Sequence, residues 1–266
     1  MERKSSFGKI LWEVGGPLLL NEMLTVALQS VFGVCFSGML SRQGAQVWML
    51  ALVNTVEIPV FYYLYCRSRK KDGLEADGRE SLRKTGKSVK PERLLWEILG
   101  GLSLGRGFNA LLGLTPLPRL FPGYAPAVEG LYGGSVLAVV AASVLAAPIL
   151  EELLFRGIIY GSLKRGLPSS RAALICASLL FGILHGNVVQ GVFAFLVGLF
   201  LNWIYEAEGS LLPAILAHSA VNASTVFLAV AEPEWLTALM EQTPFYLVMT
   251  AFCLLAGLWC WKKFQF

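Results

Sequence analysis

Long apolar runs separated by short polar or Pro- and Gly-rich segments set the pattern of this chain. The runs cover 13–38, 46–66, 94–113, 134–163, 171–187, 188–205, 210–230 and 244–261. Each is near the roughly 20 apolar residues that take a helix across a bilayer. The pattern predicts an all-α fold, a polytopic integral membrane helical bundle of about eight transmembrane helices forming a single domain over 1–266. Segment 134–163 is too long for one straight crossing, so its last turns are expected to emerge into the cytoplasm with Lys164 and Arg165. Pro17 lies inside the first run and suggests a tilted entry.

Composition agrees with lipid as the solvent. Of 266 residues, 55% are hydrophobic and only 15% charged, a balance unlike that of a water-soluble domain of this length. The formal net charge is +4, but stretch 67–93 alone holds ten Lys/Arg against five Asp/Glu, leaving the remainder about neutral. A basic loop on the cytoplasmic side explains this better than a basic face for nucleic acid, so no nucleic-acid partner is expected. Arg3, Lys4 and Lys9 before the first run, Lys164, Arg165 and Arg171 after the fourth, and Lys262 and Lys263 after the eighth also fall inside on an eight-span count. Both termini are then cytoplasmic. The acidic turn 206–209, with Glu206 and Glu208, is the one that fits this side poorly.

The five cysteines form no CxxC pair and lie in or beside apolar runs, which argues against a disulfide framework or a zinc ribbon. The first apolar run continues past the length of a signal peptide and reads as an uncleaved span. No repeat of fixed period stands out, which counts against a transporter built from two inverted halves.

Ionisable residues inside spans are costly and therefore informative. The fourth run ends in Pro148-Ile149-Leu150-Glu151-Glu152-Leu153-Leu154-Phe155-Arg156-Gly157. Glu152 and Arg156 stand at i, i+4 and can pair, while Glu151 points about 100° away and stays available for chemistry. The chain's two histidines, His185 and His218, are both expected in apolar helices, where an imidazole needs a polar partner and can pass protons near neutral pH. His218 shares a helix face with Asn222. Glu151 lies 13 residues before Lys164, His185 lies 14 after Arg171, and Asn222 lies 14 after Glu208. At 1.5 Å per residue all three sit roughly 18–21 Å from the cytoplasmic end, with His218 at roughly 15 Å. A common depth on separate helices predicts a single buried site.

Glu151-Glu152-x-x-x-Arg156, Phe181-x-x-x-His185 and His218-x-x-x-Asn222, in this order on neighbouring spans, resemble the CAAX-protease and bacteriocin-processing family, also called the Abi family. The resemblance covers about 134–230, the expected catalytic core. It implies an intramembrane endopeptidase acting on a membrane-attached protein or peptide, prenylated in some members. In the roles it implies, Glu151 and His185 activate water, His218 and Asn222 stabilise the oxyanion, and Glu152 and Arg156 hold Glu151. Phe181 is expected to pack beside the site. No cofactor is required by this reading. Zinc held by Glu151, His185 and His218 is the alternative, although Asn222 suits an oxyanion better than a metal.

Two other functions fit the embedded groups. One is a non-proteolytic membrane scaffold or bacteriocin-immunity binding protein, and the other a proton-coupled transporter. Glu22, Glu57 and Glu97 read as satisfied bundle residues or interfacial ones, and Arg106, between Gly105 and Gly107, as a helix break or an interface. The compact chain suggests a prokaryotic cell membrane; substrate and oligomeric state are not legible.

Overall fold

A computed structural model describes residues 7–40, 44–71, 89–231, 240 and 242–265. Most of the basic loop read at 67–93, together with Arg3, Lys4 and Arg42, lies outside the described residues. The others are helical almost throughout. We number the main helices α1 (Phe7–Cys35), α2 (Ala45–Lys71), α3 (Pro91–Gly113), α4 (Val136–Gly166), α5 (Ser170–Ile183), α6 (Val188–Glu208), α7 (Leu211–Ala231) and α8 (Thr243–Gln265). Shorter helical pieces occupy Leu117–Leu120 and Tyr124–Tyr132 between α3 and α4.

Every apolar run thus overlaps a helix, but the count of eight crossings does not follow. Among the described residues five helices, α1, α2, α4, α6 and α8, are long and apolar enough to cross a membrane; α5 and α7 are apolar but shorter by that measure. Helix α3 carries Arg93, Glu97 and Arg106 and is sheltered between α7 and α8. The outer helices show what faces the lipid. Helix α1 exposes Leu11, Trp12, Leu19, Met23 and Val34, and α8 exposes Leu247, Val248, Phe252 and Leu255. Pro17 does not interrupt α1.

Helix α4 is the axis of the bundle. From Glu152 to Tyr160 it is buried on all sides, an unbroken stretch that includes Arg156. Two π-helical segments, Val140–Ala146 and Leu153–Tyr160, bracket the α-helical piece Ala147–Glu152 that bears both glutamates. Such widened turns re-aim side chains and occur preferentially at functional positions. The end of the helix is held by ion pairs. Lys164 pairs with Glu206 of α6, and Arg165 with Glu13 of α1 at 3.0 Å.

These pairs account for the acidic turn that fitted poorly in the sequence. Glu206 also accepts the Tyr160 hydroxyl at 2.7 Å, and Glu208 pairs with Arg93 at 3.1 Å. The acids at 206–208 are counter-ions for basic residues at the same end of the bundle.

Helix α5 starts at a Ser169 cap, whose hydroxyl accepts the Ala172 N–H, and α6 at an Asn187 cap, whose side chain accepts the Gln190 N–H. With 14 residues, α5 is about 21 Å long, less than the roughly 30 Å hydrocarbon layer. Its C-terminal turn therefore ends within the bundle. Asn202 of α6 donates to Ser178 of α5 at 2.9 Å, both fully buried, and this bond fixes the hairpin. Helix α3 lies close on α7 because Gly101 and Gly105, one turn apart, lack side chains. A Cβ at Gly101 would collide with the Ala217 carbonyl, and one at Gly105 would stand 3.0 Å from Val221.

Candidate active site

The local sequence places each polar group before any tertiary contact is made. Glu151 and Glu152 end the α-helical piece of α4, so they point in different directions. Glu151 remains partly accessible and lines a cavity of about 710 Å3; Glu152 is fully buried behind it. Phe181, His185, His218 and Asn222 line the same cavity. Five of the seven residues singled out in the sequence meet there, and the other two, Glu152 and Arg156, form its buried support.

Glu152 Oε1 accepts from Arg156 at 2.7 Å and from His218 Nδ1 at 2.8 Å. Arg156 also donates to the Gly198 carbonyl at 3.3 Å and stacks over the Phe181 ring, 4.7 Å from its centroid. The direct hydrogen bonds of the Glu152–Arg156 pair reach His218, which in turn faces Glu151. With Nδ1–H given to Glu152, His218 turns Nε2 to the cavity, where it stands 3.7 Å from Glu151 Oε2. Phe181 packs edge-on to both histidines, its ring 4.7 Å from His185 and 5.8 Å from His218.

The expectation that His185 lies in a helix is corrected: α5 ends at Ile183. His185 follows the end of α5, its N–H bonded to the Gly182 carbonyl, and precedes Gly186, whose φ of 75° turns the chain into α6. Its Nδ1 donates to the Phe181 carbonyl at 2.7 Å. Nδ1–H is thereby fixed and Nε2 is left with its lone pair. Glu151 and His185 share the cavity without a direct hydrogen bond.

Asn222 owes its position to the first π-helical segment. There the Ala147 N–H bonds five residues back, to Ala142. The same register brings the Ser143 carbonyl to position 148, and Pro148 has no N–H to offer. Asn222 donates to that carbonyl at 2.8 Å instead. Its second amide hydrogen stays available.

The three-ligand zinc set, Glu151, His185 and His218, does not fit this arrangement. Among the described residues no three His, Cys, Asp or Glu side chains are grouped closely enough to hold a metal ion.

The cavity has further polar lining to which the sequence reading gave no role in the chemistry. Asn54 of α2, Arg106 and Asn109 of α3, and Tyr124 and Tyr132 of the 124–132 helix also line the cavity. Arg106 had drawn notice for its flanking glycines, yet α3 runs through it unbroken. The other embedded acids differ: Glu57 has a partner on one oxygen, whereas both carboxylate oxygens of Glu97 are buried with no hydrogen-bond partner among the described residues, so the reading of Glu97 as a satisfied residue is corrected. Glu57 is fully buried and accepts from Thr25 of α1 at 2.8 Å, and Glu97 is buried in α3.

Comparison with known proteins bears on this same half of the chain. Residues 133–224 match the family model described as Rce1-like, type II CAAX prenyl endopeptidase Rce1-like. The UPF0177 protein YxdF of Lactococcus lactis subsp. lactis (strain IL1403) is 29% identical over 79 residues, which is 29% of this chain and 42% of that protein. No solved structure matches. Every candidate site residue lies inside the stretch 133–224, and over it the chain is similar to the type II CAAX prenyl endopeptidases of the Rce1-like kind, in keeping with the CAAX-protease and bacteriocin-processing family that its motifs resemble.

Proposed function

We propose that this protein is an intramembrane endopeptidase of the CAAX-protease type, in which Glu151 and His185 activate water against a peptide bond of a membrane-attached substrate. The observation that carries the proposal is the meeting of Glu151, His185, His218 and Asn222 on one cavity, with His218 anchored from behind by the Glu152–Arg156 pair. We place the substrate's approach on the cytoplasmic side, with both termini of the chain on that side.

In this reading water sits between Glu151 and His185. As its oxygen bonds to the substrate carbonyl carbon, its proton passes to the Glu151 carboxylate, and His185 Nε2 orients the water as a hydrogen-bond acceptor. The carbonyl oxygen becomes an oxyanion. It receives the free N–H of Asn222 and, from doubly protonated His218, the Nε2–H; the Glu152 carboxylate accommodates that form of His218 through Nδ1. The proton on Glu151 then moves to the leaving nitrogen as the C–N bond breaks. Phe181 keeps bulk water from the two imidazoles and holds their planes.

The test is cleavage by the purified protein in detergent of a prenylated peptide with a C-terminal tetrapeptide motif and of a bacteriocin-leader peptide, followed by mass spectrometry with and without chelator. Glu151→Gln and His185→Ala are expected to lower kcat/KM by on the order of 10²–10⁴ with unfolding temperature retained. Wild type inert toward both peptides, or variants as active as wild type, would sink the proposal.

A further inference from the structure

Glu22 stands on the lipid side of α1. It lies 13 residues beyond Lys9, hence roughly 20 Å from the cytoplasmic end, well inside a hydrocarbon layer of roughly 30 Å, and it is exposed. A carboxyl group at that depth is costly unless it faces a polar partner. Thr25, less than one turn further along, is given to Glu57 of α2. Among the described residues Glu22 itself makes no hydrogen bond or ion pair. Whatever satisfies it comes from outside this bundle.

Glu22 belongs to a row. Trp12, Gly15, Leu19, Glu22, Val26 and Gln29 follow one another at alternating steps of three and four residues, the spacing of a seam along which two helices pair with a left-handed twist. None of the six is buried, and Trp12, Leu19 and Val26 are 74%, 62% and 60% exposed. Gly15 has nothing within 4 Å, which lets another backbone come close. The side of α1 that packs on the bundle is a different one, formed by Ile10, Val14, Leu18 and Leu24.

We infer that α1 pairs along this row with α1 of a second copy of the chain. Copies inserted in one membrane share an orientation, so a closed pair has its twofold axis along the membrane normal and its two α1 helices parallel. Each residue of the row then meets itself across the axis. The polar members of the row suit that demand, because two glutamine amides exchange a pair of hydrogen bonds and two glutamate carboxyls share a proton between them. The apolar members between them supply the packing, and the polar pair at Glu22 sets the register. Among the described residues none of α1 lines the cavity. Pairing therefore leaves both candidate sites open, and the inference stands apart from the peptidase reading.

Full-length protein freed of its native cysteines, with one cysteine returned at a time along α1, is treated in native membranes with a short bis-maleimide, and the covalent dimer is measured on a denaturing gel. Leu19→Cys and Val26→Cys are expected to link copies on the order of tenfold more than Ala27→Cys and Val31→Cys, which are exposed on the same helix but off the row. In parallel, donor- and acceptor-labelled protein is diluted into vesicles of rising lipid content, and energy transfer gives the dissociation constant of the pair. Glu22→Leu is expected to raise it on the order of tenfold, with the unfolding temperature retained because Glu22 supports no contact within the chain. Glu22→Gln, which exchanges the shared proton for an amide pair, is expected to keep it within about threefold. Equal linking at all four positions, or a dissociation constant unchanged by Glu22→Leu, overturns the inference. So does energy transfer no greater than random encounter at every dilution, since the row would then face a helix of another protein.

Discussion

Glu151 and Glu152 are neighbours in the chain, yet their surroundings give them opposite duties. Glu151 keeps access to the cavity, while Glu152 has none and holds Arg156 and His218 through one oxygen. Removing one partner of a buried ion pair leaves the other charge uncompensated. Glu152→Ala is therefore expected to cost about 3–5 kcal/mol, read as a lowered unfolding transition in detergent, whereas Glu151→Gln leaves the transition in place and lowers kcat/KM by on the order of 10²–10⁴. Replacing the pair together, as Glu152→Leu with Arg156→Met, is expected to recover most of the stability but not activity, because His218 has lost the group that fixes its ring. If the double variant were active, Glu152 would be a packing element alone.

At the scale of helices, the site depends on how near α3 can come to α7. Gly101 meets the carbonyl of Ala217, the residue before His218. Gly101→Val is expected to push the helices apart, costing about 1–3 kcal/mol, and to lower kcat/KM by displacing His218 although no catalytic group is altered. Gly33→Ala provides the contrast. That position on α1 has nothing within 4 Å, and the substitution is expected to be neutral or to stabilise by up to about 1 kcal/mol. Loss of activity in both would show that α1 and α3 are alike in their demands and remove the argument from close approach.

For the whole molecule, the ion pairs Lys164–Glu206, Arg93–Glu208 and Arg165–Glu13 gather at one end of the bundle, and the Pro-rich stretch 114–133 lies at the other end of α3 and α4. The orientation proposed above from the positive-inside rule has the former in the cytoplasm. In a protein freed of its native cysteines, a cysteine at Gly123 is expected to react with an impermeant maleimide added outside intact cells, and one at Ser169 only after permeabilisation. The reverse pattern would invert the bundle and move the proposed entry of substrate to the outer face.

Hydrophobic runs and charge asymmetry made the helical membrane class legible at once, since the bilayer constrains length and composition directly. That these polar residues meet at one cavity was legible too, because ionisable residues at a common depth are rare enough to notice. Which neighbours those residues choose was not. The hydrogen bond from His218 to Glu152 joins positions 66 apart, and the one from Asn222 to Ser143 joins positions 79 apart; both depend on how α4 and α7 are packed. The widened turns that free the Ser143 carbonyl arise where Pro148 and the bundle act together. Arg106 enters the cavity only because two glycines let α3 lie against α7. Periodicity and burial cost are properties of the chain in its solvent and can be read along it, whereas the choice of partners is settled by close approach between helices, which exists only once they are packed.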